Sequence, residues 1–171
     1  MLRLILMRHA KSAWSDPDLD DHDRPLNQRG RLAAPLMGAW LADKRLVPDA
    51  VLCSSSLRTQ ETWRRARTTL PGAPEALVMP ELYHADPPSL LQAVQTAPEH
   101  AGIVALIGHQ PGIGAFTRLL ARRDAPQACS RAYSKFPTAA CALLQFDVAR
   151  WADIGFGTGD FVGFAVPREL V

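Results

Sequence analysis

Two histidines and two arginines in this chain sit where strands should end. Arg8-His9 closes an apolar run over residues 2–7. Arg58 lies just past the run 49–55, behind Ser54-Ser55-Ser56. His109 closes the run 102–108. A guanidinium offers planar, paired donors to a phosphate. A neutral imidazole can attack phosphorus as a nucleophile. Serines ahead of a helix place its unpaired N–H groups where an anion is welcome. Taken singly, each motif has a plainer reading: a strand emerging into solvent, a helix cap, a histidine satisfied in a turn. A fourth stretch, Pro80-Glu81-Leu82-Tyr83-His84, follows the short run 76–79 and reads alone as a surface loop. Coincidence of position changes this weighting. In a parallel sheet these strand ends share one edge, where ligands of open α/β sheets collect. Two arginines and two histidines there make a pocket for a tetrahedral dianion. Metal binding is the rival use of clustered histidines, but arginine is no ligand. Glu81-x-x-His84 looks like a di-iron motif only superficially, since it lies between Pro80 and Pro87 and has no second copy.

The elements that must position these residues follow from patterning. The runs 2–7, 49–55, 76–79 and 102–108 are short and nearly continuous in apolar residues, as in strands buried on both faces of a parallel sheet. Between them, 28–44 carries Leu32, Leu36, Trp40, Met37 and Leu41 at helical spacing, with Asn27 as N-cap and Pro35 expected to kink or delay the helix. Residues 57–70, 89–97 and a stretch from Pro111 through Leu120 also read as helices. Residues 139–148 and 161–167 read as two late strands separated by Gly155, Gly157 and Gly159, pairing at one edge with at least one antiparallel. The expectation is a single α/β domain over 1–171: a three-layer sandwich with a mostly parallel central sheet and helices on both faces.

Composition narrows the function classes. Of 171 residues, 47% are hydrophobic and 21% charged, which excludes a largely disordered chain. Nineteen basic against 17 acidic residues, a net charge of +2, gives no reason to expect nucleic acid. Every apolar run falls well below the ~18 residues of a membrane span. The apolar stretch Leu4–Met7 is too short for the core of a signal peptide. Cys53, Cys129 and Cys141 form no Cys-x-x-Cys, which fits a reducing compartment, and a cytoplasmic location is expected. Arg118, Arg122, Arg123, Arg131 and Lys135, against Asp124 alone, suggest an acidic-partner surface, although a solvated face explains them more simply.

The ordered set RHAKSAW (8–14), RPLNQRG (24–30), SSLRTQET (55–62), PELYHA (80–85), IGHQPG (107–112) and PTAACALLQF (137–146) resembles the histidine phosphatase superfamily, also called phosphoglycerate mutase-like. Within it, the chain is most similar to the small phosphohistidine phosphatases of the SixA type. The resemblance implies that His9 becomes phosphorylated, that Arg8, Arg58 and His109 hold the phosphate, and that Glu81 matches the proton donor of larger members. It implies no metal and no cofactor. Ser55, Thr59 and Glu61 depart from the family pattern, and Glu61 would weaken phosphate binding if it turned inward. Larger members insert a lid after the acid, whereas here about six residues precede the next helix, an ordinary connection length. An open site suits a phosphorylated protein, with phosphohistidine as the expected substrate. Small phosphate esters, or phosphate recognition without catalysis, stand as alternatives. The chain is taken as a monomer.

Overall fold

Strand β1 (Leu2–Arg8) runs through the centre of a six-stranded sheet of order β3-β2-β4-β1-β5-β6. The other strands are β2 (Ala50–Ser54), β3 (Leu77–Met79), β4 (Ile103–Gly108), β5 (Cys141–Phe146) and β6 (Asp160–Ala165). The β2, β3, β4 and β1 strands are mutually parallel, and β5 pairs antiparallel with both β1 and β6. The computed structural model describes residues 1–170; the last residue of the expected domain, Val171, lies outside the described residues.

Period-two alternation along β1 divides the core. Leu2, Leu4 and Leu6 face one side, where α3 (Pro87–Gln95) and α4 (Gly112–Leu120) pack through Leu90, Val94, Phe116 and Leu120. Ile5 and Met7 face the other, covered by α1 (Gln28–Asp43) and α2 (Leu57–Ala66) through Met37, Leu41, Trp63 and Ala66. Each fully buried leucine contributes roughly 1.5–3 kcal/mol by leaving water. The result is the three-layer α/β architecture, with the sheet buried on both faces.

Two expectations are corrected. The run 76–79 is not a buried strand. As β3 it pairs with β2 alone, at the edge of the sheet, and Leu77 and Val78 are 61% and 42% exposed. Of the two effects expected of Pro35, the late start does not occur: α1 begins at Gln28, with Asn27 accepting from the Gly30 N–H at 2.9 Å. Gly30 is buried because α1 starts against the loop that follows β1. A side chain there would place its first carbon 2.2 Å from the Lys11 carbonyl oxygen.

Candidate active site

Register brings the two histidines together. Arg8 pairs with Gly108, and the His9 N–H donates to the Gly108 carbonyl at 3.0 Å, so His9 and His109 leave neighbouring strands side by side. Their ring centroids are 5.4 Å apart. Arg58 reaches the same place from the first turn of α2, which Ser56 caps by accepting from the Thr59 N–H at 3.3 Å. All three side chains are buried: His9 is 8%, Arg58 5% and His109 5% exposed.

Each ring nitrogen has an assignable task. The His9 Nδ1–H donates to the Ala10 carbonyl at 2.7 Å, which leaves the lone pair on Nε2. Burial, with Arg58 and Arg8 nearby, lowers the His9 pKa to about 4, so the ring is neutral at pH 7. Burial beside His9 and Arg58 lowers that of His109 to about 2. The Nε2 of His109 lies 2.8 Å from Ser54 Oγ, a hydroxyl that can donate or accept and so holds either tautomer. Its Nδ1 faces Arg58 Nη2 at 3.4 Å. Arg8 donates from Nη1 to the Phe136 carbonyl at 3.0 Å, while its Nε–H is buried with no acceptor in the protein. Burial and the proximity of Arg58 lower the Arg8 pKa.

Several contributors were not assigned to the pocket from sequence. Arg58 donates to the Asp21 carbonyl oxygen at 2.7 Å and to its Oδ2 at 2.9 Å, and the Tyr83 hydroxyl donates to the same Oδ2. Burial alone would raise the Asp21 pKa, but the hydrogen bonds from Tyr83 and Arg58 hold it below the usual carboxylate range. His84 stacks on Tyr83 at 4.1 Å and approaches Arg58 Nη2 at 3.3 Å. A φ of 52° at His84 turns this short loop toward the pocket. The sequence marks that loop through Glu81, and nothing in it distinguishes Tyr83 or His84 as pocket residues. Asp21 has no sequence signal, standing among Asp16, Asp18, Asp20 and Asp23.

Of the expected site residues, Arg8, His9, Arg58 and His109 converge at the carboxyl ends of β1 and β4 and the start of α2. Glu81 is exposed in the 3-10 turn Pro80–Leu82 and forms no ion pair among the described residues. Glu61 points away from Arg58. It accepts from the Leu26 N–H at 3.3 Å and pairs with Arg65 at 3.6 Å. The basic surface after α4 is partly neutralised, because Arg122 pairs with Asp160 and Arg131 with Glu169. No helix among the described residues is long and apolar enough to cross a membrane.

The family model described as histidine phosphatase superfamily, branch 1, matches residues 4–83. An uncharacterized protein of Mycobacterium tuberculosis is 36% identical over 164 residues, covering 95% of this chain and all of that one. A structure from Nakamurella multipartitia, assigned by its name to the SixA phosphohistidine phosphatases, superposes with a TM-score of 0.83 at 29% identity, covering 97% of this chain and 96% of that one. The protein histidine phosphatase SixA complexed with tungstate superposes at 0.81 with 26% identity, covering 99% and 100%.

Proposed function

This chain belongs to the histidine phosphatase superfamily and is a phosphatase. From that premise we propose that it works through a phosphohistidine at His9 and removes phosphate from phosphohistidine on a protein, in the cytoplasm and without a metal. One observation carries the reading: a buried, neutral imidazole, with Nδ1 tied to the Ala10 carbonyl and Nε2 carrying the lone pair, stands beside the guanidinium groups of Arg8 and Arg58.

The reaction takes two in-line steps. The Nε2 lone pair of His9 attacks phosphorus, the bond from phosphorus to the leaving imidazole breaks, and that imidazole departs with a proton taken from solvent. Water then attacks the phosphorus, the N–P bond breaks with its electron pair returning to Nε2, a proton of the water is released to solvent, and orthophosphate leaves with His9 neutral again. Arg8, Arg58 and His109 bind the equatorial oxygens, where charge spreads in a loose transition state. This clamp is the main source of rate. The Arg8 Nε–H gains in an oxyanion the acceptor it lacks in the protein. With two fixed positive charges in the pocket, the reaction needs no metal to neutralise the phosphoryl group.

The open lip supports a protein substrate. Only Tyr83–Asp86 connects the 3-10 turn to α3, so no lid is inserted between them. A second reading, hydrolysis of small esters, is favoured by a cavity of about 420 Å³ beside His109, lined in part by His84, Pro87, Gln110 and Ala115. The deciding experiment measures turnover of a histidine-phosphorylated protein against simple alkyl phosphates. It also traps the labelled enzyme, whose phosphate should resist alkali and be lost in acid. Faster turnover of alkyl phosphates would favour the second reading. An unlabelled enzyme under rapid quench would remove His9 as nucleophile.

A further inference from the structure

A second feature lies along the same edge of the sheet, beyond β5. A groove of about 340 Å³ runs between the first half of α1 and the segments 137–138 and 166–168. Its walls are apolar, with Leu32, Leu36 and Pro137, and Leu32 is 65% exposed. Its charged members are Lys11, Arg29 and Arg168, with no Asp or Glu among the lining residues. None of the three cations takes part in an ion pair among the described residues. Glu169, beside Arg168, is engaged by Arg131 instead. Arg29 occupies the first turn of α1, where a cation is least favoured by the helix and no acidic residue offsets it. No ion pair among the described residues therefore accounts for this grouping.

Its position relative to His9 follows from the strands. The antiparallel β5 begins at the edge where β1 ends, and the carboxyl end of β6 lies there too, since Cys141 pairs with both Met7 and Ala165. The Ala139 N–H donates to the His9 carbonyl at 3.0 Å, and Thr138 of the groove precedes it. Two strand spacings put the end of β6 about 10 Å from β1, which three or four extended peptide residues span. Arg58, His109 and His84 flank His9 on the β4 and β2 side, and the groove flanks it on the other.

We propose that this groove docks an acidic segment of the phosphoprotein substrate, with an apolar side chain against Leu32 and Leu36 and carboxylates facing Lys11, Arg29 and Arg168. Charge complementarity selects this occupant, because three cations with no ion-pair partner among the described residues repel a basic partner, and an apolar floor gives little to a free inorganic anion. The inference rests on the protein-substrate reading above and supplies a recognition element that reading lacks. Rim charges of this kind act on association and its salt dependence more than on chemistry.

The test uses the full chain and two labelled, unphosphorylated peptides, one carrying Asp, Glu and Leu and one with Ser and Gly in their place. Anisotropy at low salt should show the acidic peptide binding about tenfold more tightly than the neutral one. The Arg29→Gln/Arg168→Gln double variant should abolish the difference while hydrolysing para-nitrophenyl phosphate at the wild-type rate. Histidine-phosphorylated versions should show the same contrast in KM with kcat unchanged. Equal binding of the two peptides by wild type, or a preference that survives in the double variant, overturns the proposal. Peptide discrimination without phosphohistidine turnover would leave the groove standing and remove the phosphohistidine assignment.

Discussion

Holding His9 and His109 neutral in a buried, cationic pocket costs stability on the acid side. Both imidazoles are less than a tenth exposed, and their pKa values stand at about 4 and about 2, against 6.5 in an open chain. Above pH 6.5 folded and unfolded chains carry both rings neutral, and the shifts contribute nothing. As pH falls below 6.5, the unfolded chain takes up two protons that the folded chain refuses, so folding free energy drops. At pH 5 the deficit is about 2 kcal/mol for each ring, or about 4 kcal/mol together. That is a large share of the 5–15 kcal/mol typical of a domain. The Asp21 carboxyl, whose pKa is held low, acts in a lower window, at and below the ordinary carboxylate range, so the span from pH 7.5 to 5 reports mainly on imidazoles. Urea unfolding of wild type and His9→Asn across that span isolates one ring. Asparagine can still donate to the Ala10 carbonyl but does not titrate, so the variant should lose about 2 kcal/mol less than wild type. Tungstate, a dianion that favours protonated neighbours, should shrink the wild-type loss. Equal losses in wild type and variant would show that His9 is not held neutral by its site, and the account of the nucleophile would fail.

Other perturbations address the clamp and the acid. Arg58→Ala removes the guanidinium proposed to hold the phosphoryl oxygens in the ground state and more strongly in the transition state, so both KM and kcat should suffer, with kcat/KM falling roughly 10²–10³-fold; a change confined to KM would deny it a transition-state role. Ser54→Ala leaves the buried Nε2 of His109 without its partner, and kcat should fall roughly 10- to 100-fold with secondary structure intact by circular dichroism; an unchanged rate would mean the ring needs no anchor. Asp21 is held ionised by Tyr83 and Arg58 and is a poor proton donor at neutral pH, and the proposed role of Glu81, as the acid for poor leaving groups, has its own test. Glu81→Gln should therefore slow alkyl ester hydrolysis by roughly 10²–10⁴ and spare phosphohistidine, whose imidazole leaves readily once protonated; equal losses on both substrates would refute that role.

The layered fold was readable because its signals are strong and local. A run such as GIVALIG, residues 102–108, has few conformations open to it other than a strand buried on both faces, and Asn27 caps the helix it precedes. The error at β3 has a physical source. Apolar content reports that a run avoids water on average, and it does not say which strand ends a sheet. Leu77 and Val78 are as apolar as their counterparts in β2, yet β3 has a neighbour on one side only. The late start expected of Pro35 failed for a related reason. A proline costs a helix one donor, but α1 is held by packing through Met37 and Leu41, and tertiary contact outweighs the local penalty.

The site divides along a similar line. Arg8, His9, Arg58 and His109 were legible because the backbone delivers them: each sits at a strand end or a helix start whose place in the sheet is set by hydrophobic pattern. The groups that tune them are of another kind. The Ala10 and Phe136 carbonyls accept from His9 and Arg8, and any residue type supplies a backbone carbonyl. Phe136 stands 128 positions from Arg8, and Asp21 stands 37 from Arg58. No periodicity links such pairs, because the entropic cost of closing a loop depends on its length and only slowly. Yet these partners decide the chemistry. Without the Ala10 carbonyl the His9 ring could present either nitrogen, and without Asp21 the Arg58 guanidinium would lack the contacts that aim it. The chain thus carries its reactive groups in motifs and their orientation in long-range acceptors, and only the folded structure joins the two.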